Sequence, residues 1–192
     1  MTGSPCTVVL VPGLRGHVED HWQTLLSRQL PETVTVRSFH REKLDLDGRV
    51  DDLQEAVAGA SGPLLLAAHS AGCLVTAHWA RRYGGDRVVG ALLATPPDLG
   101  DPLPAPYPSL DELWEAGWLP LPTEPLPFPS ILAASSNDPL SEPDRIRALA
   151  AAWGSQVVDV GAVGHLNPAS GHGAWPGAVR LLDRLQTRLV TT

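Results

Sequence analysis

Cysteine is nearly absent. Cys6 and Cys73 are the only two in 192 residues, and their spacing matches no metal-binding pattern, so neither a disulfide framework nor a thiolate metal site is expected. No apolar run approaches the roughly 20 residues of a membrane span. No basic N-terminal region leads into a hydrophobic segment either, so the expectation is a cytoplasmic protein with reduced thiols. Positive charge is scarce. Fourteen Lys and Arg against 21 Asp and Glu give a net charge of −7, which argues against nucleic acid and acidic membranes as partners. Lys43 is the only lysine, and no function attaches to that. Internal repeats and hairpin signals between apolar segments are also missing. What is present, a 43% hydrophobic chain of ordinary charge content, reads as one domain (residues 1–192) able to bury a sizeable core.

Taken in order, Thr7 to Val11 is a β-branched run ending at Pro12-Gly13, a first strand. A helix is expected over roughly Asp20 to Leu30, with Asp20 as its cap and Pro31 as its stop. Thr33 to Val36 alternates as a second strand. The charged stretch Arg41 to Arg49 leads into a helix carrying Val50, Leu53 and Val57 on one face. Leu64 to Ala68 is an apolar strand buried on both faces. It runs into His69-Ser70-Ala71-Gly72 and a helix that stops at Gly84-Gly85. Val88 to Ala94 and Ile131 to Ser135 are further continuous apolar strands, and Gln156 to Val160 is a sixth. Ser141 can cap a helix with Ile146, Leu149, Ala150 and Trp153 on one face. A last helix carries Val179, Leu182, Leu185 and Leu189. Between the fourth and fifth strands lies residues 96–129, which holds 11 of the 19 prolines. It has one short helix candidate around Leu110 to Ala116 and reads as a candidate lid. Strands alternating with helices imply a parallel sheet covered on both faces, an α/β architecture with ligands beyond the carboxyl ends of the strands.

Chemistry gathers at those ends. Ser70 sits at a sharp strand-to-helix turn between Ala68 and Gly72, the form of a nucleophile elbow, although a serine there also suits a plain helix cap. A serine hydroxyl needs a base within reach, and the base needs a carboxylate to orient it. His165, after Gly164 on the loop that follows the last strand, is the base candidate, with His172 in reserve. His69 adjoins Ser70, and adjacent side chains at a tight turn diverge. Asp138 follows the fifth strand and is the acid candidate; Asp98 follows the fourth and preserves the same chain order, so it stays open. Asp159 lies inside a strand. The N–H groups of Ala71 and Leu14 are the expected oxyanion donors. A competing constellation, His17 and His21 with Glu19 and Asp20 between them, has metal-like spacing, but its acid is misplaced for either His-Glu zinc motif.

Several segments, read together, resemble the small serine hydrolases grouped with retinoblastoma-binding protein nine, in the α/β-hydrolase superfamily. They are Val11-Pro12-Gly13-Leu14, His21-Trp22-Gln23, Ala68-His69-Ser70-Ala71-Gly72-Cys73-Leu74 and Pro125 to Ser130. Ala134 to Pro139, Gly164 to Asn167, Ser170-Gly171 and Trp175-Pro176 complete the set. The resemblance implies a Ser70–Asp138–His165 triad, a six-stranded sheet ordered 2-1-3-4-5-6, no cofactor or metal, and a small ester, thioester or amide as substrate. Two departures concern the substrate pocket. His40 stands with Phe39 where the family often has Asp-Trp, and Trp114 and Trp118 are one helical turn apart. All three are candidates for the pocket, the tryptophan pair lining or lidding it or else simply packing on neighbouring loops. The alternative is a hydrolase-like fold used for protein binding, its triad incidental; the chain has no Leu-x-Cys-x-Glu peptide to favour that.

Overall fold

The computed structural model describes residues 6–16, 18–37 and 42–187. Six strands form one all-parallel sheet: β1 (Thr7–Val11), β2 (Thr33–Thr35), β3 (Leu64–His69), β4 (Val88–Ala94), β5 (Ser130–Ala134) and β6 (Gln156–Asp159). Their order is β2-β1-β3-β4-β5-β6, as the resemblance implies. Between them run α1 (Trp22–Ser27), α2 (Leu46–Gly59), α3 (Ala71–Tyr83), α4 (Leu110–Glu115), α5 (Pro143–Trp153) and, last, α6 (Gly177–Thr187).

The period of two along each strand sorts the core into two layers. Val9, Leu64, Leu66, Ala91, Leu93 and Leu132 join residues of α2, α3 and α5 on one face of the sheet. Val8, Leu10, Leu65, Leu92, Ile131 and Ala133 join Trp22 and Leu26 of α1 and Leu181, Leu182 and Leu185 of α6 on the other. Both faces are covered, which is why the central strands read as unbroken apolar runs.

Helix ends depart from expectation in definite ways. His21, not Asp20, caps α1: its Nδ1 accepts from Gln23 N–H at 3.2 Å. The helix stops by Ser27 because Arg28 and Gln29 donate to carbonyls three residues back, tightening the turn before Pro31. The N-cap of α5 is Glu142 rather than Ser141, with no side-chain cap bond, and Pro143 opens the helix with a φ already suited to it. In α6, Ala178 and Leu181 are buried beside the expected Leu182 and Leu185; Leu189 lies outside the described residues. Among the described residues no helix is long and apolar enough to cross a membrane.

Candidate active site

The sheet delivers Ser70 at the end of its buried strand β3. Ser70 adopts φ 55° and ψ −127°, a conformation that costs an L-residue of order 1–3 kcal/mol. Both flanks hold it there. Its N–H continues the ladder to Ala94 O at 3.0 Å, and its carbonyl accepts from Cys73 N–H at 2.9 Å. Glycine is required two residues on: a Cβ at Gly72 would lie 2.3 Å from Val11 O and 2.8 Å from Pro12 O. The first turn of α3 is therefore pressed against the end of β1. The Ser70 hydroxyl makes no cap bond to α3; it faces His165 Nε2 at 2.8 Å.

His165 is carried 95 residues away in sequence on the loop between β6 and α6. That loop is pinned to the end of β5. Asn137 Oδ1 accepts from Gly164 N–H at 2.6 Å, and Ser135 Oγ accepts from Val163 N–H at 3.3 Å. Gly164 has φ 58°, and a Cβ on it would meet Ser170 Cβ at 2.6 Å. The His165 carbonyl accepts from His69 Nε2–H at 2.9 Å and from Thr95 Oγ1–H at 3.4 Å. Its Nδ1 lies 2.8 Å and 3.1 Å from the two Asp138 oxygens, and Asp138 Oδ1 also accepts from Leu140 N–H at 3.0 Å. An ionised carboxylate only accepts, so Nδ1 carries the proton and Nε2 accepts from the Ser70 hydroxyl. His165 and Asp138 are both buried, at 4% and 7% exposure, where charge-assisted hydrogen bonds are strong.

The alternatives left open by the sequence resolve. Asp98 pairs with Arg145 of α5 and accepts from Gly100 N–H at 2.8 Å, away from His165. Asp159 is exposed and caps the Gly161 turn. His172 does not border the cleft at Ser70. His69 borders the cleft with Ser70, but its Nε2 donates to His165 O and its ring packs between those of His21 and His165, with centroids 4.5 and 5.0 Å away. Burial first, then the neighbouring imidazoles, hold His69 well below the usual histidine range, so it stays neutral beside the base.

A cleft of about 110 Å³ opens at this point, bordered by Gly13, Leu14, Ser70, Ala71 and His165. Gly13 lets the loop after β1 approach: a Cβ there would sit 3.2 Å from Ser70 Cβ. Ala71 N–H opens α3, whose positive dipole end faces the cleft. Two residues without an assigned role in the sequence shape this loop, Gln23 of the His21-Trp22-Gln23 segment and Arg49. Gln23 Nε2 ties α1 to Val11 O (3.0 Å) and Ala67 O (2.8 Å). Arg49, 4% exposed on α2, donates to Leu14 O at 3.3 Å. Neither carries a spacing signal that would reveal its role.

The expected tryptophan pocket is corrected. Helix α4 ends at Glu115 and Gly117 turns at φ 79°, so Trp114 and Trp118 share no helical face. Trp114 is 63% exposed; Trp118 is 1% exposed, its indole donating to Leu44 O at 2.9 Å. Neither borders the cleft, which takes Pro97, Leu103 and Tyr107 from residues 96–129 instead. His40 lies outside the described residues, as does His17 of the metal-like spacing. Among the described residues, no group of three or more His, Cys, Asp or Glu is placed to hold a metal ion.

Residues 8–184 match the family model described as serine hydrolase. The chain is similar to a YdeN-like hydrolase from Pectobacterium atrosepticum, at 31% identity and TM-score 0.79, over 96% of this chain and 92% of that one. The ydeN gene product of B. subtilis superposes at TM-score 0.73 with 17% identity, covering 95% and 100% of the two chains. A thermophilic esterase from Thermogutta terrifontis does so at TM-score 0.65 and 19% identity, over 100% and 92%. No curated protein matches the chain.

Proposed function

The chain belongs to the serine hydrolase family, among the α/β hydrolases, and from that premise we propose that it cleaves a small ester, thioester or amide through an acyl-enzyme on Ser70. The reading is carried by one observation, the unbroken hydrogen-bond path from Ser70 Oγ through His165 to the Asp138 carboxylate.

In this mechanism His165 Nε2 takes the hydroxyl proton as Ser70 Oγ attacks the carbonyl carbon. Base catalysis of this kind contributes about 10²–10⁴ in rate. The Ala71 and Leu14 N–H groups hold the developing oxyanion, each worth about 10²–10³ in kcat. Arg49 donates to the carbonyl of Leu14 and so steadies the loop that carries the Leu14 N–H. The leaving group departs with the proton from His165. Water then gives its proton to Nε2 and attacks the acyl carbon, releasing the acid and restoring Ser70. Asp138 remains ionised and keeps His165 in the tautomer the first step needs.

Within the family we place the chain beside the retinoblastoma-binding protein nine-like enzymes, on the segments quoted above. We further read the whole chain as one domain in which residues 96–129 cover the cleft. Its substrate is a small molecule rather than nucleic acid or membrane. The two free, buried cysteines fit a reducing cytoplasm.

The test is labelling with a fluorophosphonate probe, read by intact mass, beside Ser70→Ala and His165→Ala. The expected result is one adduct on the native protein and none on either variant. A folded native protein that takes no adduct refutes the reading.

A further inference from the structure

Two hollows of very different size meet at one side chain. The cleft beside Ser70 holds about 110 Å³, whereas a broader depression between the start of α2 and the segment 106–117 holds about 780 Å³. Among the described residues, Tyr107 alone borders both. It is half-buried, and its N–H is tied to Pro104 O at 3.0 Å. Pro102, Pro104, Pro106 and Pro108 alternate through this stretch. Proline fixes φ at each of them, so the ring stands on a stiff strap and not on a swinging loop.

Resting on the hydrolase reading above, we propose that Tyr107 is the size filter of the enzyme, which takes esters of short aliphatic acyl groups, about two to four carbons long. A cavity of about 150 Å³ accepts benzene, so an open cleft of about 110 Å³ covers only a few methylenes. Leu14, Leu103 and Leu140 give the cleft an apolar lining suited to alkyl chains. A longer acyl chain runs into the Tyr107 ring and has to displace it, which costs productive binding. Removing that ring opens the cleft toward the depression, whose charged lining (Glu42, Lys43, Asp45, Asp47, Glu112) gives a longer chain space rather than apolar cover, so the gain is relief of the clash.

The experiment measures kcat/KM for p-nitrophenyl esters from acetate to octanoate, with active sites titrated by a small fluorophosphonate. Each methylene buried in the native cleft raises kcat/KM about fourfold up to butyrate. Beyond that the native profile falls, by about tenfold or more at octanoate. In Tyr107→Ala the octanoate-to-butyrate ratio rises at least about tenfold, and Tyr107→Phe, which retains the ring, keeps the native cut-off. Leu103→Ala enlarges the same wall and moves the cut-off outward as well, which keeps the test open should Tyr107→Ala not fold. A native profile that stays level or climbs to octanoate overturns the inference. So do alanine variants that scale every ester by one factor. A native protein that takes no label overturns the hydrolase reading and this inference with it; a labelled protein with the wrong profile overturns this inference alone.

Discussion

Substituting Gly72 by alanine tests whether the approach of α3 to β1 is what holds Ser70 in place. The added Cβ falls 2.3 Å from Val11 O, and ordinary contact begins at 3.4 Å, so the two elements must part by about 1.1 Å. Both obstructing atoms are backbone, and β1 is held on either side by β2 and β3. No side chain can swing aside to relieve the contact. Overpacking of this kind costs about 3 kcal/mol. In a chain of this size that lowers the melting temperature by about 6–12 °C. The same displacement carries Ser70 away from His165, and a shift near 1 Å slows a positioned reaction by about 10²-fold. Thermal unfolding and the rate of fluorophosphonate labelling read the two effects separately. Gly59→Ala is the control: it ends α2 at an exposed position with nothing within 4 Å of the new Cβ. It should gain about 0.5 kcal/mol from helix propensity. A Gly72→Ala protein that melts within about 2 °C of the native one and labels at the native rate refutes the argument.

Asp138→Asn retains the shape of the acid but cannot fix the His165 tautomer, so kcat for an ester substrate should fall by about 10²–10⁴ with little change in KM; a loss in KM alone contradicts the assigned role. Burial holds His69 well below its unfolded value, near 6.5. Its contribution to stability is complete above pH 6.5. Below that the unfolded chain binds a proton that the folded one refuses, and stability drops by up to about 1.4 kcal/mol per pH unit. Melting temperature should therefore fall from pH 7 to pH 5, and His69→Gln should flatten that slope; an equally steep variant assigns the loss elsewhere. Cys73 is fully buried with its thiol pushed well up by burial, and burial raises Cys6 too. A disulfide reagent should leave both unmodified in the native protein and titrate two thiols in urea. Rapid modification under native conditions contradicts their burial.

What could be read from the sequence follows from what burial does to a pattern. Leu64 to Ala68 and Val88 to Ala94 are covered on both faces, so they appear as apolar runs even without their neighbours. Ser70 and Gly72 were legible because the turn between β3 and α3 tolerates few residue types. The acid was legible as Asp138 but not settled, since Asp98 keeps the same order along the chain. Only the third dimension shows that Arg145, 47 residues on, engages Asp98. The tryptophans misled for a related reason. A spacing of four implies one face only while the helix lasts, and α4 stops between them. Caps failed at α1 and α5 because a side-chain cap depends on the backbone angle at entry, which composition does not state. Arg49 and Tyr107 left no local trace, as Arg49 bonds to a loop distant in sequence and Tyr107 borders a cleft built from distant segments.

An all-parallel sheet also sets the order in which the molecule can come into being. No strand can pair with the next by a short turn: Thr7 of β1 meets Leu64 of β3, closing a loop of 57 residues. Such topologies carry high contact order and fold slowly. The base is later still. Ser70 and His165 lie 95 residues apart, and the loop bearing His165 can be pinned only once the end of β5 is in place. A partly folded chain thus has its nucleophile without its base. Reactivity of Ser70 becomes the last signal to return on refolding, and a nascent chain stays chemically silent until its final fold closes.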